Sequence, residues 1–134
     1  MVTCYIGIGS NLGDRQYYIE RAIGELKRTK EIVFKRSSSI YETEPVSDIS
    51  QGKYLNGVLE VQTDLAPKDF LEALNKIEEK LGRIRKLKDA PRTIDLDILY
   101  YGEERMQDKE LVIPHPRIGE REFVLKGLRE LGKI

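Results

Sequence analysis

Two aspartates raise the question of chemistry. In the stretch Thr93-Ile94-Asp95-Leu96-Asp97-Ile98-Leu99-Tyr100-Tyr101-Gly102, Asp95 and Asp97 alternate with Ile94, Leu96 and Ile98. A strand has a period of two, so the carboxylates share one face and the aliphatic side chains the other. Two residues along a strand span roughly 6.6 Å. At that separation two carboxylates flank a divalent ion, or bracket a pair of ions about 3.5–4 Å apart. Just upstream stands a basic run of Arg83, Arg85, Lys86, Lys88 and Arg92. Carboxylates for a hard cation beside cationic groups for phosphate oxygens are the inventory of a metal–nucleotide site. The same pattern also describes the wet face of a half-exposed strand next to a solvated loop. Spacing alone leaves both readings open.

Other positions invite a similar choice. His115 is the only histidine, held in the stiff, extended Pro114-His115-Pro116. A lone histidine is more often structural than chemical. Glu78 falls on the edge of an apolar helical stripe formed by Leu71, Leu74 and Leu81, with Asn75 beside it. It is either a carboxylate snorkelling to solvent or the border of a polar pocket. The turn Ser10-Asn11-Leu12-Gly13-Asp14 lacks both the dinucleotide-binding and the Walker pattern. It reads as a turn in which Asp14 or Ser10 caps the next helix.

The elements that must position these residues follow from periodicity. Val2 to Ile8 is a buried strand ending at Gly9. Arg15 to Arg28 is an amphipathic helix burying Ile19, Ala22, Ile23 and Leu26. Glu31 to about Thr43 reads as one long strand, followed by a surface loop over 44–52 rich in turn formers. Tyr54 to Thr63 is a strand. Pro67 opens a second helix with Phe70, Leu71, Leu74, Ile77 and Leu81 as its stripe, and Gly82 ends it. After the basic loop of 82–93 comes the aspartate strand. A charged surface hairpin or loop spans 103–110, Leu111 to Ile113 is a short strand, and a last helix runs from about Gly119 to Leu131. The order β-α-β-β-α-β is the split βαβ pattern of ferredoxin-like folds. The expected architecture is α+β, with two helices on one face of an antiparallel sheet and a C-terminal strand and helix appended. The other face is then free for a site that includes Asp95 and Asp97.

Composition bounds the rest. The chain of 134 residues, 40% hydrophobic and 34% charged, is expected to form one domain over 1–134. A formal net charge of zero offers no overall field for nucleic acid or a membrane surface. The single Cys4 excludes an intramolecular disulfide and lies in an apolar strand, as a small buried hydrophobe would. A reducing cytoplasm is the expected setting, with neither a nucleic-acid nor a membrane partner.

Four blocks of the sequence resemble one family. Ala90-Pro91-Arg92-Thr93-Ile94-Asp95-Leu96-Asp97-Ile98-Leu99 is similar to the signature of the 6-hydroxymethyl-7,8-dihydropterin pyrophosphokinases, enzymes of folate synthesis. Ile6-Gly7-Ile8-Gly9-Ser10-Asn11-Leu12-Gly13 resembles the family's first strand and turn, and Tyr54-Leu55-Asn56 its pterin segment. Val112-Ile113-Pro114-His115-Pro116-Arg117 with Arg121-Glu122-Phe123-Val124-Leu125 resembles its C-terminal block. The blocks occur in the family's order and span most of the chain.

The resemblance implies transfer of the terminal diphosphate of ATP to the hydroxymethyl group of a reduced pterin, leaving AMP. It implies two Mg2+ ions on Asp95 and Asp97. On the nucleotide side it implies Asn75, Glu78, Arg83, Arg85, Arg92, Ile98, His115 and Arg121, with Arg83 and Arg92 acting on the transition state. For the pterin it implies Tyr54 and Phe123 as stacking partners, Asn56, Asp95, and backbone groups near Thr43 and Val46. The 44–52 loop would close over the substrates, and a monomer is expected. The sequence departs from the family's habit in three places. Lys88 and Asp89 stand where many members carry tryptophan, Asn75 replaces a longer amide, and the chain ends soon after Leu131. These departures bear on lid closure and affinity more than on reaction class.

Two other classes compete. A ferredoxin-like RNA-binding module would need an RNP1-like run of glycine and aromatics, which is missing, and its sheet would not carry two aspartates. A regulatory domain binding a small metabolite needs neither the arginine cluster nor the carboxylate pair.

Overall fold

The first apolar run folds as β1, Val2–Ser10, and the aspartate strand as β5, Asp95–Tyr101. The computed structural model describes residues 1–44, 52–83 and 92–134. Val46, Arg85, most of the 44–52 loop and most of the basic loop, with Lys88 and Asp89, lie outside the described residues.

The helix α1 spans Arg15–Arg28, and Asp14 caps it by accepting from the Tyr17 N–H. The helix α2 spans Pro67–Lys80 with proline in its first turn, and Gly82 terminates it at φ +87°. Both helices bury their stripes on one face of the sheet. Ile19, Leu26, Phe70 and Leu74 pack there against Ile6, Ile8, Leu59, Leu96 and Ile98. Cys4 lies in this core, and burial pushes its thiol up to about 12, so it behaves as an inert hydrophobe.

The segment expected to form one long strand is broken in two. β2 is Ile32–Ser37 and β3 is Tyr41–Thr43, both paired with β4, Tyr54–Thr63. Three residues, 38–40, stand opposite two of β4, and Ser38 takes over the ladder. Its N–H donates to the Val58 carbonyl, and its Oγ accepts from the Val58 N–H at 2.8 Å. A serine able to replace backbone partners in this way competes with a regular ladder.

The sheet order is β2-β4-β1-β5, each neighbour antiparallel, with β3 extending the pairing along β4. With α1 and α2 on the crossovers, this is the ferredoxin-like split βαβ arrangement. After β5 come a two-residue hairpin of β6, Met106–Gln107, with β7, Val112–Ile113, a 3-10 turn Ile118–Glu120, and the helix α3, Glu122–Glu130. The last helix is therefore shorter than its periodicity predicts. Arg121 has extended backbone (φ −117°, ψ 100°), which separates the turn from α3.

The second face of the sheet is not wholly free. Val124, Leu128 and Leu131 pack with Tyr5, Val58, Leu99 and Ile118 into a second core. A register shift in β5 opposite Tyr5/Ile6 makes this possible. It places Leu99 and Tyr100 in succession on the α3 side and returns Tyr101 to the first core. The face is thus divided: α3 covers one half, and Gly7, Gly9, Asn56, Asp95 and Asp97 occupy the other. Among the described residues no helix is long and apolar enough to cross a membrane.

Two contacts make the packing testable. A Cβ on Gly127 would meet Val58 Cγ2 at 2.5 Å, so Gly127→Ala should lower stability by about 1–3 kcal/mol in denaturant unfolding. Glu25 accepts from Arg28 Nη2 and Lys80 Nζ, each at 2.9 Å, joining α1 to α2. These bonds hold its carboxyl well below its ordinary value of 4.5, at about 2. A depressed carboxyl stabilises the fold above its unfolded value and loses that stabilisation as pH falls. Glu25→Gln should therefore cost about 1 kcal/mol at neutral pH, a gap that closes between pH 4.5 and about 2. Thermal unfolding against pH reads this directly, and a gap independent of pH would deny the carboxylate its role.

Candidate active site

Antiparallel pairing sets Gly9 opposite Asp95 and Gly7 opposite Asp97. The glycines floor a small pocket because they present no side chain beside the carboxylates. At Gly9 a Cβ would meet Asn56 Oδ1 at 2.5 Å, so a side chain there would displace the Asn56 amide. Asn56 Nδ2 donates to Thr43 Oγ1 at 2.5 Å, fixing the amide across the pocket. Tyr54 comes from the start of β4 and Phe123 from the first turn of α3, and both line the same cavity. The structure thus gathers Thr43, Tyr54, Asn56, Asp95 and Phe123, all expected on the pterin side.

A wider, more polar groove opens on the other side of the carboxylates. Asn75, Glu78, Arg83, Ile98 and His115, which the resemblance assigns to the nucleotide, border it together. Pocket and groove share a wall made of Arg92, Asp95, Asp97, Arg117 and Arg121.

The charges on this wall are linked. Arg83 Nη1 donates to Glu78 Oε2 at 2.5 Å and to Asp95 Oδ1 at 2.9 Å, while Arg92 Nη1 donates to Asp95 Oδ2 at 3.0 Å. Glu78 is only 1% exposed. It is not a snorkelling border residue: Glu78 Oε2 also accepts from the Leu96 N–H at 2.7 Å, tying the end of α2 to β5 and fixing Arg83 in turn. Asp97 stands apart, with Arg121 Nη1 at 4.0 Å. Burial and the charge of Asp95 push its carboxyl up, against the opposing pull of Arg121.

His115 is oriented by its own turn. Its N–H donates to the Leu99 carbonyl at 3.0 Å, and its Nδ1 accepts from the Arg117 N–H at 3.1 Å. Burial, then the nearby Arg121, pushes the imidazole down, favouring the neutral form. An accepting Nδ1 leaves the proton on Nε2, which becomes the donor.

The donor set suits a hard divalent cation. Two neighbouring carboxylates raise the cost of each other's ionised form, and a cation between them relieves it. Among the described residues no three His, Cys, Asp or Glu side chains gather around one point. A cation on Asp95 and Asp97 would complete its shell with phosphate oxygens and water.

Two contributors carried little signal in the sequence. Arg117 sits inside the Pro-His-Pro-Arg block but has no periodicity to mark it, and it lines both cavities. Asn11 reads as an ordinary turn residue, yet its side chain accepts from the Arg92 N–H at 2.8 Å. Only the approach of two distant segments reveals that bond.

A ferredoxin-like sheet thus holds paired carboxylates and arginines between an aromatic-walled pocket and a polar groove. The family model for 7,8-dihydro-6-hydroxymethylpterin-pyrophosphokinase matches residues 5–133, and the chain belongs to that family. It is 43% identical over 127 residues to the 2-amino-4-hydroxy-6-hydroxymethyldihydropteridine pyrophosphokinase of Bacillus subtilis, covering 95% of this chain and 76% of that one. It is 41% identical over 131 residues to the bifunctional protein FolKE of Lactococcus lactis subsp. cremoris, covering 98% of this chain but 38% of that longer protein. Its fold matches a crystal structure of an HPPK-DHPS in complex with substrates at a TM-score of 0.72 and 15% identity, covering 97% of this chain and 40% of that one. The protein is accordingly a pyrophosphokinase of folate biosynthesis, with ATP as co-substrate.

The buried Glu78–Arg83 pair gives a prediction. Glu78→Ala leaves Arg83 and the Leu96 N–H without that partner and should cost about 3 kcal/mol. Glu78→Gln keeps an acceptor and should cost clearly less. Equal losses on chemical unfolding would show that the carboxylate is not what joins α2 to β5.

Proposed function

We propose that the wall between pocket and groove is where diphosphate passes from ATP to 6-hydroxymethyl-7,8-dihydropterin. The hydroxymethyl oxygen attacks the β-phosphorus. The bond from that phosphorus to the oxygen bridging it to the α-phosphate breaks, AMP leaves, and the hydroxyl proton is lost. The single observation carrying this reading is that five charged side chains on the shared wall face both cavities. Two substrates seated in adjoining cavities meet there with little loss of orientation.

In this reading the flat pterin lies with Tyr54 and Phe123, and Asn56 supplies both a donor and an acceptor to its amide-like edge. The nucleotide lies along the groove towards Asn75 and Ile98. Arg92 and Arg121 grip phosphate oxygens, where guanidinium forks fit the geometry. His115 donates from Nε2 to a phosphate and needs no proton transfer. Arg83 is committed to Glu78 and Asp95, so its part is to hold Asp95 in place. Asp95 and Asp97 would hold magnesium, two ions in this proposal, which supplies charge neutralisation for the polyphosphate and polarises the attacking hydroxyl. One chain contributes both cavities, so the proposal takes the working unit as a monomer, acting in the cytoplasm.

The test is AMP formation from ATP with and without 6-hydroxymethyl-7,8-dihydropterin, in Mg2+ and in EDTA. AMP should form only with both pterin and Mg2+. Asp97→Ala should lower kcat on the order of a thousandfold while the folded state persists by circular dichroism. Arg92→Ala should lower kcat about a hundredfold with a smaller effect on pterin affinity. Near-normal turnover of Asp97→Ala, or a loss in Arg92→Ala confined to pterin binding, would sink the assigned roles.

A further inference from the structure

We propose that Asn11 is a positioning residue for diphosphate transfer, setting Arg92 through the peptide groups that carry it. Pairing of β1 with β5 runs out at Gly9 and Asp95, yet the two chains stay joined beyond it. The Asn11 N–H donates to the Arg92 carbonyl at 3.0 Å, and Asn11 Oδ1 accepts from the Arg92 N–H at 2.8 Å. One residue therefore holds both main-chain polar groups of Arg92. With both fixed, the direction of its Cα–Cβ bond is fixed too, and the guanidinium reaches Asp95 at 3.0 Å from a set base.

The same side chain does a second task. Asn11 Nδ2 donates to the Gly52 carbonyl at 3.2 Å, two residues before Tyr54, the aromatic wall of the pocket. A carboxamide is the group that accepts on one atom and donates from the next at this reach. Aspartate would keep the acceptor and lose the donor, and alanine would lose both. Asn11 is only 6% exposed, so water is a poor substitute for either bond. Through Asn11 the wall that grips phosphate and the approach to the aromatic pocket share one anchor.

The inference rests on the reading of Arg92 as a phosphate-gripping residue, so the experiment separates the two. Asn11→Ala, Asn11→Asp, Arg92→Ala and the double variant Asn11→Ala/Arg92→Ala are compared by steady-state kinetics, with thermal unfolding as the control for folding. Asn11→Ala should lower kcat by tenfold or more. In the Arg92→Ala background the same change should lower kcat by less than threefold, because nothing remains for Asn11 to position. Asn11→Asp, which keeps the bond to the Arg92 N–H, should retain kcat within about fivefold while raising KM for the pterin. A merely structural Asn11 would give the same factor in both backgrounds, and that result would overturn the proposal. So would an Asn11→Asp variant that loses as much kcat as Asn11→Ala or, where Asn11→Ala fails to fold, one that folds and still loses kcat by tenfold or more. If Arg92→Ala retains kcat, the reading of Arg92 falls first, and the positioning role of Asn11 falls with it.

Discussion

The repulsion between Asp95 and Asp97 is the constraint on which the rest of the site depends. Two carboxylates on one face of a strand, half withdrawn from water, are costly unless cations answer them. The protein answers Asp95 from two sides, with Arg83 at 2.9 Å and Arg92 at 3.0 Å. It answers Asp97 more loosely, with Arg121 at 4.0 Å. Burial, and after it the charge of Asp95, pushes the Asp97 carboxyl up against the pull of Arg121. A site arranged in this way favours any ligand that brings positive charge to the carboxylates and negative charge to the arginines. A polyphosphate carrying a divalent cation is such a ligand.

Holding these charges in place needs rigidity from the whole fold. Glu78, buried at the end of α2, fixes Arg83 and the Leu96 N–H together. The first core is thereby tied to the charged face through the thickness of the sheet. On the far side, α3 packs on Val58 and Leu99, and Arg121 and Phe123 at its start line the same cavity. The register shift that brings Leu99 and Tyr100 together on that side is what gives α3 a surface to pack on. α3 thus leaves the part of that face with Asp95 and Asp97 to line a pocket.

Much of this was legible in the chain. α1 falls at its predicted bounds because its apolar positions repeat with the helical period and Asp14 caps it. The β5 aspartates face together because a strand alternates. The order of elements is enough for the ferredoxin-like topology, since split βαβ units of this size have few ways to pack. The side chains expected around the pterin and the nucleotide lie around the two cavities wherever the structure describes them. The break at Ser38–Ile40 was not legible, because serine and threonine serve equally in a strand or in place of one. Neither was the late start of the last helix, because nothing in its apolar period marks the extended backbone at Arg121 that separates the 3-10 turn from α3.

Residue type and spacing by themselves determined the elements, the face that carries the carboxylates and the family resemblance. Each of these is a local property of a short stretch, and local periodicity reports it faithfully. Tertiary structure alone decided that Glu78 is a buried brace, that Arg83 is tied to Asp95, that α3 covers half of the second sheet face, and that Asn11 reaches Arg92. Glu78 and Leu96 stand 18 residues apart, and Asn11 and Arg92 stand 81 apart. Hydrogen bonds across such distances leave no period in the sequence. They exist only once the sheet has brought the segments together.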